Sequence, residues 1–218
     1  MIEPYYDEDG IVIYHGDCRE VAPSLDYSVV ISDPPYGINY NGAGAVGQMK
    51  HVASHRCQTD SVMGDDCPFD PLPWISGPFL LWGANNFSSR LPDLICFLCW
   101  DKVTRNGLRL RIAECEFAAT NCVKRPRVFR HMWSGAFRDS ERGEKYHPTQ
   151  KPVALMSWCI GLPGVPGGVI LDPFMGAGPT LVAAKDLGRR AIGIEIEERY
   201  CEIAAKRISQ GVLNFANT

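Results

Sequence analysis

The sequence predicts an α/β protein: a doubly wound, mostly parallel sheet with helices on both faces, in circularly permuted order. Three observations carry this. Short apolar, β-branched runs recur at residues 11–14, 29–32, 169–171 and 191–194, the pattern of strands buried on both faces. Each is followed by a turn bearing an acid, where open α/β sheets place their ligands. The glycine-rich strand–turn–helix unit that usually opens such a sheet stands near the end of this chain, at 169–187.

The elements follow in order. Ile11-Val12-Ile13-Tyr14 is a strand that ends at Gly16-Asp17 and crosses by a helix to Val29-Val30-Ile31-Ser32. Asp33-Pro34-Pro35-Tyr36 then lies at a strand's carboxyl end. Two prolines stiffen that turn, because each fixes φ and lacks an N–H. The exocyclic amine of a nucleobase is a poor nucleophile, since its lone pair is delocalised into the ring. A carboxylate and a neighbouring carbonyl can accept its two N–H bonds, and an aromatic face can stack on the base. Leu94–Trp100 reads as a further strand.

Val169-Ile170-Leu171 leads into Asp172-Pro173-Phe174-Met175-Gly176-Ala177-Gly178-Pro179-Thr180 and a helix through Leu181 to Leu187. The glycines permit positive φ and close backbone approach. Ala191-Ile192-Gly193-Ile194 ends at Glu195, the position of an acid that grips ribose hydroxyls. Glu197 to Ile208 is a helix with Tyr200, Ile203, Ala204 and Ile208 on one face.

These motifs resemble the β-class amino-methyltransferases, S-adenosylmethionine-dependent enzymes that methylate an exocyclic amine of a DNA base. The resemblance rests on Asp33-Pro34-Pro35-Tyr36, His147-Pro148-Thr149-Gln150-Lys151-Pro152 and Asp172–Gly178, with Gly188-Arg189-Arg190 and Gly193-Ile194-Glu195-Ile196. Gly16-Asp17-Cys18, Leu81-Trp82-Gly83-Ala84-Asn85-Asn86 and Trp100-Asp101-Lys102 are less specific matches. Together they cover nearly the whole chain in the order of the β class. Pro179 departs from the family's usual Thr, and proline is tolerated in a first helical turn.

The resemblance implies a Rossmann-like methyltransferase fold in one domain over 1–218. Its parts are a catalytic half at 1–100, a basic target-recognition segment at about 101–147 and a cofactor half at about 147–210. It implies catalytic roles for Asp33, Pro34, Pro35 and Tyr36. Asp17 and the Cys18 backbone would read the cofactor adenine, and Glu195 would hold the ribose. Asp172 would bind the methionine ammonium, and Thr149 and Lys151 its carboxylate. Asp33, Pro173, Phe174, Gly176, Gly178 and Thr180 would border the same ligand. Asp at the first position of the tetrapeptide is commoner in the family's adenine enzymes, so N6 of adenine in duplex DNA is the expected target. N4 of cytosine is the alternative, followed by an RNA methyltransferase and a non-catalytic DNA-binding relic of the fold.

A chain of 218 residues, 45% hydrophobic, suits one substantial core. No apolar run reaches membrane-spanning length, and Met1-Ile2-Glu3-Pro4 does not read as a signal peptide. Nine scattered cysteines fit reduced thiols in a cytoplasmic protein. Cys96 and Cys99 have the gap of a metal pair but lie in a strand, where they would face opposite ways. The set His51, His55, Cys57 and Cys67 fits no trusted zinc spacing. No metal is expected.

The net charge of −3 conceals an asymmetry. Residues 101–147 hold eleven Lys or Arg against six acids, a local +5 in a chain that is otherwise −8. That is an electrostatic footprint for phosphate backbone. Arg105, Lys124, Arg125, Arg127, Arg130, Trp133 and Arg138 are the expected DNA contacts. The glycine-bearing segment 41–73 reads as a loop that closes over the extruded base. Homodimerisation and a restriction endonuclease partner are not decided by the sequence.

Overall fold

The computed structural model describes residues 2–38, 63–93, 95–103, 113–134, 137–141, 146 and 150–210. The segment expected to close over the base therefore falls mostly outside the described residues, as do His51, His55 and Cys57.

The first strands are β1 (Tyr6–Glu8), β2 (Ile11–His15) and β3 (Val29–Ser32). They are followed by β4 (Phe79–Trp82), β5 (Cys96–Asp101), β6 (Cys115–Thr120) and β7 (Arg127–Arg130). A small hairpin of β8 (Trp133–Ser134) and β9 (Phe137–Arg138) precedes β10 (Ile170–Asp172) and β11 (Ala191–Glu195). The helices are α1 (Cys18–Val21), α2 (Val153–Ile160), α3 (Pro179–Asp186) and α4 (Glu198–Ser209).

Among the described residues the main sheet has the order β1-β2-β11-β10-β3-β4-β6-β5-β7. β2, β11, β10, β3 and β4 run parallel, whereas β6 is antiparallel to both β4 and β5. Two strands from the end of the chain thus enter between two from its beginning. This is the permuted topology read from the motif order.

β1 was not expected. Asp9 and Gly10 both take positive φ, 53° and 78°, and fold it back onto β2 in a tight hairpin. Asp-Gly is a favoured dipeptide for such a turn.

The two faces of the sheet are clothed differently. Ile11, Ile13, Val29, Ile31, Leu80 and Trp82 meet α2, α3 and α4 through Leu155, Met156, Leu181, Cys201 and Ala204. Val30, Leu81, Leu171 and Ile194 on the other face meet Val21 and Ala22 at α1, with Phe69, Trp74 and Phe87. Among the described residues that second layer is the single turn α1 and short 3-10 turns. On α4 the buried residues are Tyr200, Cys201, Ala204 and Ile208. Ile203, expected on that face, is only partly buried.

Cys96 packs into the core and Cys99 is partly exposed, as strand alternation requires. No His, Cys, Asp and Glu cluster among the described residues has the makings of a metal site. No helix among them is long and apolar enough to cross a membrane.

Candidate active site

Parallel strands bring their carboxyl ends to one edge, so residues far apart in sequence converge there. The edge carries Gly16-Asp17 after β2, Glu195 of β11, Asp172 of β10 and Asp33 after β3. β6 runs the other way, so its start, Cys115-Glu116, stands at that edge opposite Trp100 and Asp101 of β5.

A cleft of about 360 Å³ opens between these ends. Its walls include Asp33, Lys151, Asp172, Phe174, Gly176 and Thr180. The turn expected to hold a cofactor and the turn expected to hold a target amine therefore share one space.

The glycine turn is built as its sequence requires. Gly178 caps α3 at φ +73°, a conformation that L side chains rarely adopt. A Cβ there would also lie 2.9 Å from the Cβ of Ala204 on α4. Pro179 occupies the first turn of α3, so the departure from the family pattern leaves the helix start intact.

Asp172 is buried at the floor of the cleft. Its Oδ1 accepts from Ser32 Oγ at 2.5 Å and from the Phe174 N–H at 3.2 Å. Burial pushes its pKa up to about 6, against the pull of these hydrogen bonds. Thr180 Oγ1 is buried beside Asp172 and helps to pull its pKa down, but makes no hydrogen bond of good geometry among the described residues. Unsatisfied buried polar atoms are rare in native proteins, so a polar ligand group is a natural partner for it.

Glu195 Oε2 accepts from the Gly176 N–H at 3.0 Å, and Oε1 from the Glu197 N–H at 2.8 Å. The carboxylate is thus fixed against the glycine turn. Each of its oxygens keeps a lone pair for a hydroxyl. Asp17 caps α1 through the Arg19 N–H at 2.9 Å and pairs with the Arg19 guanidinium, which holds its pKa below the usual carboxylate range. The Cys18 thiol is pushed up to about 12 by burial and is no nucleophile.

Asp33 is engaged on both oxygens. Tyr36 OH donates to Oδ1, and Lys151 Nζ lies 2.5 Å from Oδ2. Lys151 Nζ also donates to Tyr36 OH at 3.0 Å and pairs with Glu116 Oε2 at 3.2 Å. Glu116 Oε1 in turn pairs with Lys102.

The Tyr36 ring lies over Gly83, where any Cβ would collide with it. Gly83 also has φ +76°. That glycine therefore serves two needs, a left-handed turn after β4 and room for the tyrosine.

The resemblance puts Lys151 at the cofactor carboxylate. In the structure its ammonium lines the cleft and stands between Asp33 and Glu116. Its companion Thr149 lies outside the described residues.

The expected DNA contacts also divide. β6 carries the chain to the amino edge of the sheet, so Lys124 and Arg125, in the turn after it, stand on the side away from the cleft. Arg127 begins β7 at that same far edge. Arg130 ends β7 at the cleft edge beside Asp101, with Nε 3.6 Å from Oδ2. Trp133 follows it, and the Arg138 guanidinium sits 4.6 Å from the Trp133 ring centroid. Arg105 lies outside the described residues.

Several residues were not visible from sequence patterning. Ser32 ties the two half-sites together. Glu116 and Lys102 extend the charge cluster. Glu141 accepts from Gln150, from the Val153 N–H at 2.8 Å and from Arg207, pinning the segment before α2 to α4. Their signal is tertiary: each is an ordinary polar residue until its partner arrives from elsewhere in the chain.

Comparison with known proteins finds DNA methyltransferases. A family model described as DNA methylase, for N6 and N4 enzymes, matches residues 100–206. The type II methyltransferase M2.LlaDCHI of Lactococcus lactis subsp. cremoris is 25% identical over 97% of this chain and 94% of its own. M.ScaI of Streptomyces caespitosus, also a type II methyltransferase, is 25% identical over 94% of this chain and 84% of its own. Among solved structures, the M1.HpyAVI–SAM complex is 27% identical, covers 90% of this chain and 99% of its own, and superposes with a TM-score of 0.53. The PvuII DNA methyltransferase, cytosine-N4-specific, reaches a TM-score of 0.61 over 94% of this chain and 88% of its own. At 15% identity it shows the fold alone.

Proposed function

We propose that this chain, a member of the N6-adenine/N4-cytosine DNA methyltransferase family, transfers a methyl group from S-adenosylmethionine to the N6 amine of adenine in duplex DNA. The observation that carries the reading is the cleft shared by Asp33 and Asp172, at the carboxyl ends of the neighbouring parallel strands β3 and β10. Preference for adenine rests on Asp at the first position of Asp33-Pro34-Pro35-Tyr36.

The residues fit the cofactor. Asp172 would meet an ammonium and Glu195 ribose hydroxyls beside the glycine turn, with the Thr180 hydroxyl bordering the same cleft. When bound, S-adenosylmethionine supplies an electrophilic methyl group on a sulfonium.

The protein's part is mostly positioning and electrostatics. An amine inside a duplex is out of reach, so the base must be rotated out of the stack. Both Asp33 oxygens are already engaged, so the entering amine displaces the Tyr36 hydroxyl from Oδ1. The freed ring is then available to stack on the base. Asp33 and the Pro34 carbonyl accept the two amine hydrogens. As the nitrogen takes the methyl group, Asp33 would accept the proton that the nitrogen sheds. Arg130, Trp133 and Arg138 provide a cationic, aromatic surface at the cleft edge for the DNA.

Methyl transfer from labelled cofactor to duplex DNA, followed by nucleoside mass spectrometry, tests the reading. N6-methyladenine is expected. N4-methylcytosine would move the target, and unlabelled DNA would remove the activity.

A further inference from the structure

Lys151 is a deeply enclosed cation at the site, its side chain only 6% exposed. Its ammonium meets Asp33 Oδ2 at 2.5 Å, Tyr36 OH at 3.0 Å and Glu116 Oε2 at 3.2 Å. Glu116, its side chain 22% exposed, gives its other oxygen to Lys102. Acid and base alternate along a chain, Asp33–Lys151–Glu116–Lys102, that is formally neutral. The pair Asp33–Lys151 is already neutral by itself, so charge balance does not explain Glu116 and Lys102. A buried acid is costly unless paired, yet here a second acid is brought to the same lysine.

Sharing has a chemical consequence. A carboxylate that owns an ammonium outright gives its lone pairs to that cation. One that shares the ammonium keeps more of its lone-pair density for a neutral N–H donor. We infer that Glu116 is a positioning residue for methyl transfer: it draws the Lys151 ammonium away from an exclusive pair with Asp33 and leaves Asp33 able to accept the target amine. The inference rests on the methyl-transfer reading above.

The electrostatics run the same way. Burial is the largest influence raising the Asp33 pKa; Lys151 opposes it and Glu116 adds to the rise. Burial works against the Lys151 ammonium, but Asp33 and Glu116 outweigh it and hold its pKa well above the usual lysine range. The groups facing Asp33 are Tyr36 from its own turn, Lys151 from the segment before α2, Asp172 from β10 and Glu116 from β6, with Lys102 behind Glu116. Removing the Glu116 charge therefore lowers the Asp33 pKa, since a like charge is gone and Lys151 is left to Asp33 alone.

The test needs neither cofactor nor DNA. The Asp33 carboxyl is titrated by carbon NMR in protein labelled at aspartate and assigned with Asp33→Asn. In Glu116→Gln, which keeps the shape and loses the charge, the midpoint should fall by about one unit. Lys102→Met should move it the opposite way, because Glu116 then gives itself wholly to Lys151. That second variant decides the matter if the first fails to fold. Kinetically, Glu116→Gln should lower kcat by about tenfold with KM for DNA unchanged. The acid limb of its pH profile should move down with the Asp33 midpoint, and Glu116→Asp should recover part of the rate. An Asp33 midpoint unmoved in both variants overturns the inference. Wild-type protein that methylates no base overturns the methyl-transfer reading instead, and leaves the titration to stand or fall separately.

Discussion

The Ser32 hydroxyl donates to Asp172 Oδ1 at 2.5 Å. Ser32 is the last residue of β3, next to Asp33, and Asp172 ends β10. A single hydrogen bond between neighbouring parallel strands therefore joins the Asp33–Tyr36 turn to the floor of the cleft. Ser32→Ala should weaken S-adenosylmethionine binding by about tenfold, the lower end of what a hydrogen bond to a charged group contributes. The rate at saturating cofactor should change far less. Calorimetric titration beside single-turnover kinetics checks the split, and an unchanged dissociation constant would deny the serine its part.

Asp33→Ala should abolish methyl transfer while leaving cofactor affinity within about tenfold, roughly 1.4 kcal/mol. On the proposed reading Asp33 acts on the target amine, and the cofactor would be held mainly by Asp172, Thr180 and Glu195. Retained transfer in this variant would exclude the proposed role.

Cofactor binding should depend on pH through Asp172. Its carboxyl is neutral below a pKa of about 6 and charged above it. Only the charged form attracts an ammonium. Affinity should therefore be full above about pH 6 and fall by up to about tenfold per unit as pH drops below it. Asp172→Asn should bind weakly at every pH and lack that acid limb. A binding constant flat between neutral and mildly acidic pH in the wild type would place the ammonium elsewhere.

DNA should be held at the cleft edge and not by the whole basic segment. Arg130→Ala with Arg138→Ala should weaken duplex binding. The log–log salt slope should drop by about one unit for each phosphate deprived of its cation. Lys124→Ala with Arg125→Ala should change neither, because that turn stands at the opposite edge of the sheet. Fluorescence anisotropy over a salt series compares the two pairs. A larger effect from the second pair would put the DNA surface on the far side.

Legibility from sequence followed the range of the interactions. The strand at 29–32, the glycine turn at 176–178 and the acid at 195 were readable because each is written in a few consecutive residues. The helix at 198–209 was readable because its apolar face repeats at 3.6 residues. The role of Lys151 was not, since its partners Asp33 and Glu116 lie 118 and 35 positions away. Nor was the separation of Arg125 from Arg130. The two are five positions apart and look like one cluster, but a strand lies between them and carries them to opposite edges. A charge count along the chain has no means of seeing that.

The sequence by itself determined the kind of fold, the permuted order of its halves and the position of the two turns at strand ends. These depend on local backbone preference and on hydrophobic periodicity, which act within a few residues. Only the tertiary structure decided that Lys151 stands between two acids, that Ser32 reaches Asp172 and that Lys124, Arg125 and Arg127 stand away from the cleft. Those facts depend on which strands become neighbours and in which direction each one runs. Sheet pairing brings together residues far apart in the chain, and a buried charge takes its partner from whatever that pairing delivers.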